Sequence, residues 1–316
     1  MARHKDVMRE MLIDCEKASN IIVEFIRKKV AEQQRDGVLL GLSGGIDSTV
    51  LATLAARAVG SCRVYALHLF DRDSRKKFLE YAQKIADKLD INLEVRDISQ
   101  LVRNQAVYKS LVMKITYFSP ALNRLLVRLS RLAYHRQSPF TLTLQHGPST
   151  TRAIARVLYR ASAGKVEEGF NVRHRLRRRI LEDYARERNL LLVGAANRTE
   201  ALVGWFVKDG VDDLPIEPLM TLYKNQIRQL GRFLDIPMEI VREPPSPDMF
   251  KGVTDELAIG FSYDKMDKVL YILENGLGKE TAYDEGISPT EFEGIKTLNQ
   301  LSVWKRESRH EYPRLE

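Results

Sequence analysis

Apolar positions along the chain alternate between two spacings. Val38–Leu40 is a short unbroken apolar run, and Val50, Leu51, Leu54, Ala55 and Ala58 then recur at helical intervals. Val64–Leu69 reads as a second strand. Phe78–Leu89 follows as a helix with apolar residues near i, i+3 and i+7. Ile91–Ile98 alternates apolar and polar residues, as a third strand does. The rhythm resumes with a helical pattern over Leu176–Ala185 and a short buried strand, Leu190–Val193, ending at Gly194. Strands alternating with helices predict an α/β fold, a doubly wound parallel sheet with helices on both faces. Ligands of such sheets bind beyond the carboxyl ends of the strands, where the turns at Gly41 and Gly194 both fall.

The remaining segments frame this core. Met8–Val30 has a helical pattern expected to pack on the sheet, and Asp255–Leu273 reads as another helix. Pro244, Pro245 and Pro247 mark an irregular loop. The last twelve residues, KRESRHEYPRLE, are expected to be mobile without a ligand. Between about Leu101 and Gly169 the alternation stops. There Leu122, Leu125, Leu126, Leu129, Leu132 and Ala133 share one helical face, away from Arg124, Arg128 and Arg131. Such a basic amphipathic helix can pack in a core or at a subunit interface, cap a site, or lie on a membrane, and packing is favoured. Thr151–Arg160 reads as a second basic helix. The expected division is an N-terminal helix (1–36), a core (37–100 and 169–275), a basic helical insertion (101–168) and a C-terminal helix and tail (276–316).

Composition narrows the class. The 316 residues are 44% hydrophobic and 29% charged, an ordinary globular balance. Cys15 and Cys62 lie far apart without a metal-binding spacing, so neither a disulfide framework nor a zinc site is indicated. The start, MARHKDVMRE, lacks the apolar stretch of a secretion signal, and no apolar run is long enough to span a bilayer; a cytoplasmic location is expected. Charge is uneven. Leu101–Ile180 holds sixteen Lys or Arg and two acids, Glu167 and Glu168, a local +14 against −6 for the rest of a chain whose net charge is +8. A polyanionic ligand, nucleic acid or an acidic surface would fit that segment, and so would a solvated basic face.

The densest chemistry is GLSGGIDS, comprising Gly41, Leu42, Ser43, Gly44, Gly45, Ile46, Asp47 and Ser48, set between a strand and a helix. Successive backbone N–H groups in such a turn form an anion nest at a helix N-terminus. Ser43 and Ser48 add hydroxyl donors, and Asp47 offers a carboxylate to a phosphate-bound Mg²⁺. No lysine is present, so this is not the G-x-x-x-x-G-K-[ST] loop. It resembles the SGGxDS loop of the ATP pyrophosphatases, which cleave ATP to AMP and pyrophosphate.

A second block runs from Gly194 to Pro237 as GAANRTEALVGWFVKDGVDDLPIEPLMTLYKNQIRQLGRFLDIP and continues through EPPSPDMFKGVTDELAIGFSYDKMD to Asp267. It closely resembles the ATP-dependent NAD synthases, ammonia-dependent type, in the turn G-T-x-N-x-[ST]-E, then G-[YF]-F-x-K, P-L-x-x-L-Y-K-x-Q-[VI]-R, P-P-S-A-D and T-D-E-x-x-[LI]-G-x-x-Y-x-x-x-D. Upstream, NVRHRLRR at Asn171–Arg178 is similar to the family's N-x-x-A-R-x-R helix. Order and spacing agree across about two-thirds of the chain. The resemblance implies an adenine nucleotide alpha hydrolase-like fold and a ligase that adenylates the carboxylate of deamido-NAD and amidates it with ammonia, releasing AMP and pyrophosphate. It implies ATP as co-substrate, Asp47 and Glu200 as Mg²⁺ carboxylates, Lys224 and Ser246 at the ATP phosphates, and Asn171, Arg175, Lys208 and Lys305 at the acceptor, with Arg177 a weaker candidate. It also implies a homodimer. No nitrilase-like glutaminase domain is expected within this length, so free ammonia or a separate glutaminase partner would supply nitrogen.

Departures from the family pattern touch the ATP half once, where Ala195 removes a hydroxyl near ATP, and otherwise fall on the acceptor half. The family's G-T is Gly194-Ala195 here. Two acids of K-Y-G-D-G-G-x-D fall on Val211 and Pro215, with Asp212 and Asp213 close by, and Trp304 stands where the family has a histidine. Two other readings therefore accompany NAD synthesis. One is adenylation of a different carboxylate or of an RNA base, which the basic segment favours. The other is a nucleotide-binding or membrane-peripheral protein without catalysis, against which Asp47, Glu200 and Lys224 stand.

Overall fold

The computed structural model of the chain describes residues 6–133, 138–145, 159–160, 163–307 and 309–315. Four strands form a parallel sheet in the order β3-β2-β1-β4: β1 Gly37–Gly41, β2 Val64–Phe70, β3 Asn92–Asp97 and β4 Leu190–Val193. Alternation along each strand divides the apolar residues between two faces. Val38 and Leu40, Val64 and Ala66, and Leu191 and Val193 pack with the helices Cys15–Glu32, Ile46–Val59 and Lys224–Phe233. Leu39, Leu67 and Leu190 point the other way, against Leu181 and Tyr184 of the helix Ala163–Glu187. The doubly wound sheet is the one expected. Its strand order reverses between β1 and β4, so a crevice opens beyond their carboxyl ends.

Three expectations need correction. Met8–Val30 is not one helix. A short helix, Val7–Glu10, stops, and Cys15–Glu32 starts afresh because the Asp14 side chain accepts the Lys17 N–H and caps the new first turn. Asp255–Leu273 is likewise divided into Asp255–Ile259 and Tyr263–Glu274. Gly260 takes φ +104° at the break and Ser262 caps the second helix. The tail is docked rather than mobile. Ile216 and Glu311 form a parallel bridge, the Glu311 N–H donates to the Pro215 carbonyl at 2.7 Å, and the Glu217 N–H donates to the Glu311 carbonyl at 3.0 Å. His310 adds Nδ1 at 2.8 Å from the Leu214 carbonyl and Nε2 at 3.1 Å from Asp213 Oδ1.

The helix Ala163–Glu187 runs unbroken through the expected boundary at 168/169 and extends beyond the Leu176–Ala185 pattern. Within the basic insertion, the helices Leu111–Phe118, Pro120–Ala133 and Pro139–Leu144 follow one another. Most of Thr151–Arg160 lies outside the described residues. The helix Pro120–Ala133 docks by an edge: Asn123 and Val127 are buried, and Asn123 Nδ2 donates to the Lys251 carbonyl. Leu122, Leu125 and Leu129 remain well exposed, so the leucine face is not the packed one. Among the described residues no helix is long and apolar enough to cross a membrane.

Gly194 shows how tightly the crevice is built. Its N–H donates to the Ile216 carbonyl at 2.8 Å, and a Cβ there would lie 2.0 Å from Glu217 Oε1. Gly194→Ala is therefore expected to destabilise the fold by about 1–3 kcal/mol, through displacement of a buried carboxyl group. A lowered urea midpoint checks this; an unchanged one contradicts it.

Candidate active site

The GLSGGIDS turn joins β1 to the helix Ile46–Val59. Gly44 adopts φ +85°, and a Cβ would come within 2.2 Å of the Phe78 carbonyl oxygen, so both conformation and space demand glycine. The two serines brace the turn. Ser48 Oγ accepts the Ser43 N–H at 3.2 Å and lies 2.9 Å from Ser43 Oγ, which itself accepts the Gly45 N–H. Asp47 sits in the first turn of the helix, facing the crevice.

Opposite, β4 ends at Val193 and the helix Arg198–Val203 begins after Asn197, whose Oδ1 accepts the Glu200 N–H at 3.0 Å. The Asn197 amide then donates to Asp47 Oδ1 at 2.8 Å, tying the two sides of the switch point together. Lys224 starts a third helix and completes the centre: its Nζ lies 2.6 Å from Asp47 Oδ2 and 3.0 Å from Glu200 Oε1. Buried Asp267 fixes that helix start, accepting from the Thr199 hydroxyl and the Asn225 N–H. The Tyr263 hydroxyl reaches both Asp255 Oδ2, at 2.9 Å, and Glu200 Oε1, at 3.2 Å.

Three carboxylates thus crowd one ammonium. Burial raises Glu200 to about 7, against the pull of Lys224, and Asp47 and Asp255 raise it further. Burial also raises Asp255 to about 6. For Lys224 burial opposes the charge, but Asp47 and Glu200 outweigh it, so the lysine is held protonated. Among the described residues no group of three or more His, Cys, Asp or Glu is arranged to hold a metal. Two facing carboxylates that already surround a cation do suit Mg²⁺, which takes one or two protein carboxylates and otherwise keeps water and phosphate oxygens.

Two hollows meet here. A small one of about 150 Å³ is lined by Ser43, Gly45, Asp47, Glu200, Lys224 and Ser246. A larger cavity of about 730 Å³ takes in Gly41, Leu42, Ser43, Asp47 and Ser48 and runs on past Asn171, Ala195 and Lys305. Gly44 lines neither, being turned against Phe78. Ser246 stands at both, its hydroxyl donating to the Val253 carbonyl. Lys305 Nζ donates to the carbonyls of Gly204 and Phe206, and burial lowers it to about 8. Arg175 and Lys208 are brought to each other, not to the cavity: the Arg175 guanidinium reaches the Lys208 carbonyl at 3.4 Å, and Lys208 Nζ approaches the Trp304 carbonyl. Of the residues marking the departures, Val211 and Asp212 line the cavity, whereas Asp213 turns to His310.

Several contributors were not singled out as site residues from sequence. Asn197, Asp255, Tyr263 and Asp267 all lie within the quoted motifs, and an asparagine three residues before Glu200 was legible as a helix cap. Arg173 carried no signal. It is fully buried, paired with Asp73 and near Asp71, and donates to the Met249 carbonyl, holding the loop after β2 against the proline-rich loop. Arg177 joins the same network through Asp71 Oδ2 and the Leu69 carbonyl.

Glu217 behind Gly194 is another buried carboxyl group. Burial raises it to about 8, although the Leu214 and Ala196 N–H groups donate to it. Its folded-state pKa lies above the unfolded value, so the folded form holds the extra proton and stability falls as pH rises from about 4.5 to about 8. His310, raised chiefly by its Asp213 hydrogen bond, acts in the same sense near neutrality. Thermal stability should decline from pH 5.5 to 8.5, with a shallower decline in Glu217→Gln. Equal slopes in the two proteins would contradict this.

The sequence profile of the NAD synthase family matches residues 18–117 and 148–309. The NH3-dependent NAD⁺ synthetase of Thermotoga maritima is 33% identical over 282 residues, 89% of this chain and 94% of that protein. The enzyme of the same name from Methanosarcina acetivorans is 32% identical over 304 residues, 96% of each. In structure the chain is similar to the NMN synthetase of Francisella tularensis (TM-score 0.66, 23% identity, covering 94% of this chain and 98% of that one). It is also similar to the NH3-dependent NAD synthetase of Campylobacter jejuni (TM-score 0.64, 24% identity, covering 94% and 98%). The fold shared with these synthetases is the adenine nucleotide alpha hydrolase-like one. On the match across most of its length and on these relatives, the chain belongs to the NAD synthase family.

Proposed function

We propose that the protein is an ammonia-dependent ligase that converts deamido-NAD to NAD at the expense of ATP. The observation that carries this is Lys224 held between Asp47 and Glu200 at the mouth of the GLSGGIDS turn. In this reading the backbone N–H groups of the turn, with Ser43, Ser48 and Ser246, hold the triphosphate. Lys224 moves onto the phosphates, and Asp47 and Glu200 are left to hold Mg²⁺, which supplies charge neutralisation there. An acceptor carboxylate oxygen attacks the α-phosphorus and pyrophosphate leaves. Ammonia then attacks the acyl carbon and AMP departs. The protein supplies no nucleophile; it orients the reactants and excludes water.

The acceptor contacts assigned to Asn171, Arg175, Lys208 and Lys305 belong to this proposal, as do the cytoplasmic location, the domain division and the homodimer. Arg175 and Lys208 stand together at one edge of the site, an arrangement that suits a dinucleotide reaching a second subunit. A glutaminase subunit remains an alternative nitrogen source. Adenylation of another carboxylate or of an RNA base is the second reading, favoured by Val211 in the cavity wall where the family pattern has an acid. Incubation with Mg-ATP, ammonium and deamido-NAD tests the first reading. NAD, AMP and pyrophosphate in equal amounts are expected. ADP and phosphate would overturn it, and AMP formed only with another acceptor would establish the second reading.

A further inference from the structure

The small polar hollow is walled on one side by five consecutive residues of the proline-rich loop, 244–248, together with Asp47, Glu200 and Lys224. The loop has no regular structure, so its backbone groups must find partners one by one. Some are local. The Ser246 hydroxyl donates to the Val253 carbonyl at 3.1 Å, and the Asp255 N–H donates to the Pro245 carbonyl at 2.9 Å. Others come from across the crevice. The Asp248 carboxylate accepts the Arg75 N–H at 3.0 Å, and Arg173 Nη1 donates to the Met249 carbonyl at 2.8 Å.

A further hold on the loop comes from a stretch, 118–147, that the family profile leaves unmatched. Asn123, fully buried, donates its side-chain amide to the Lys251 carbonyl at 2.9 Å. Gly252, at φ +79°, lies so close to the helix Pro120–Ala133 that a Cβ would come within 2.6 Å of the Pro120 Cβ. Just before the unmatched stretch, the Tyr117 ring has Lys251 Nζ 3.9 Å from its centre. The helix is anchored towards its other end, where Arg131 Nη2 donates to the Gly260 carbonyl at 3.0 Å. Lys251 and Gly252 directly precede Val253, whose carbonyl takes the Ser246 hydroxyl. The helix therefore holds the loop next to the contact that fixes Ser246 at the hollow.

We propose that Asn123 is a positioning residue for ATP. By fastening Lys251 to an anchored helix it holds the proline-rich loop in place before the nucleotide arrives, so that Ser246 is already set and less ordering is left to binding. A loop competent for only part of the time lowers apparent affinity by that fraction. Asn123 lines neither hollow, so it acts through the loop alone. The proposal rests on the ATP site of the ligase reading and is independent of the acceptor.

The test is calorimetric binding of α,β-methylene-ATP, with Mg²⁺, to the full-length protein. This analogue cannot be split between its α- and β-phosphates and needs no acceptor. Loss of one hydrogen bond shifts an equilibrium about three- to tenfold. Asn123→Ala is expected to weaken binding by about that factor and to raise the KM of ATP equally, with kcat and the acceptor KM within about twofold. Trypsin should cut after Lys251 faster in this variant, and the analogue should restore protection. Gly252→Ala, which drives the loop off Pro120 without emptying a buried position, should act in the same way. Leu125→Ser, half exposed on the same helix, should match the wild type. Wild-type affinity in both Asn123→Ala and Gly252→Ala would overturn the proposal. So would trypsin sensitivity spread along the chain, or an equal rise in the acceptor KM, since either marks a general loss of structure. If deamido-NAD is not amidated while the binding difference persists, the acceptor reading falls and the role of Asn123 stands.

Discussion

Asp47→Ala should lower the rate of ATP cleavage at least a hundredfold while leaving the fold in place. Asp47 is the point where the two halves of the switch crevice meet, taking Asn197 on one oxygen and Lys224 on the other. Its loss removes one of the two carboxylates available to a phosphate-bound cation and frees the lysine from its resting position. Loss of one preorganised charged group at a reacting phosphate typically costs about a hundred- to a thousandfold. The fold should survive because Lys224 keeps Glu200 and the turn keeps its serine braces. AMP release, read beside a circular-dichroism melt, checks both halves. Near-normal turnover would remove Asp47 from the chemistry, and a collapsed melt would make it a structural residue.

Lys224→Met should damage both activity and stability. The ammonium is buried between Asp47 and Glu200, with Asp255 nearby. Removing one partner of a buried charged cluster costs about 3–5 kcal/mol, since the remaining charges lie unpaired. The deficit should depend on pH. Without the lysine, Glu200 and Asp255, already raised by burial to about 7 and about 6, hold their protons to still higher pH. The variant is therefore closest to wild type near pH 5.5 and falls furthest behind near pH 8. Urea denaturation at the two pH values measures this. A deficit independent of pH would show that the lysine does not neutralise those carboxylates.

The parts of the fold that were legible are those in which local pattern and burial agree. The short apolar run Leu190–Val193, stopped by glycine, predicts the strand at its observed bounds. The carboxyl-end turns were legible for the same reason. The docked tail was not: Glu311 pairs with Ile216 across some ninety residues, and a charged string carries no local mark of such pairing. The breaks at Asp14 and Gly260 were masked by apolar spacing that continues through them, although a capping aspartate and a glycine marked both. In the site, motif register placed Asp47, Glu200 and Lys224, but not the fact that the lysine rests between the carboxylates. The Arg173–Asp73 pair joins residues a hundred positions apart, and no spacing announces it. The leucine face was legible as a face, but not that Asn123 and Val127 dock the helix while Leu126 and Leu129 border the large cavity.

The most direct test of the account follows an oxygen atom. Deamido-NAD labelled with ¹⁸O in its carboxylate is incubated with the protein, Mg-ATP and ammonium, and the nucleotide products are weighed by mass spectrometry. If the carboxylate attacks the α-phosphorus, AMP carries one labelled oxygen per turnover, NAD retains the other and pyrophosphate carries none. Unlabelled AMP, or label in inorganic phosphate alongside ADP, would contradict adenylation of the acceptor at this site.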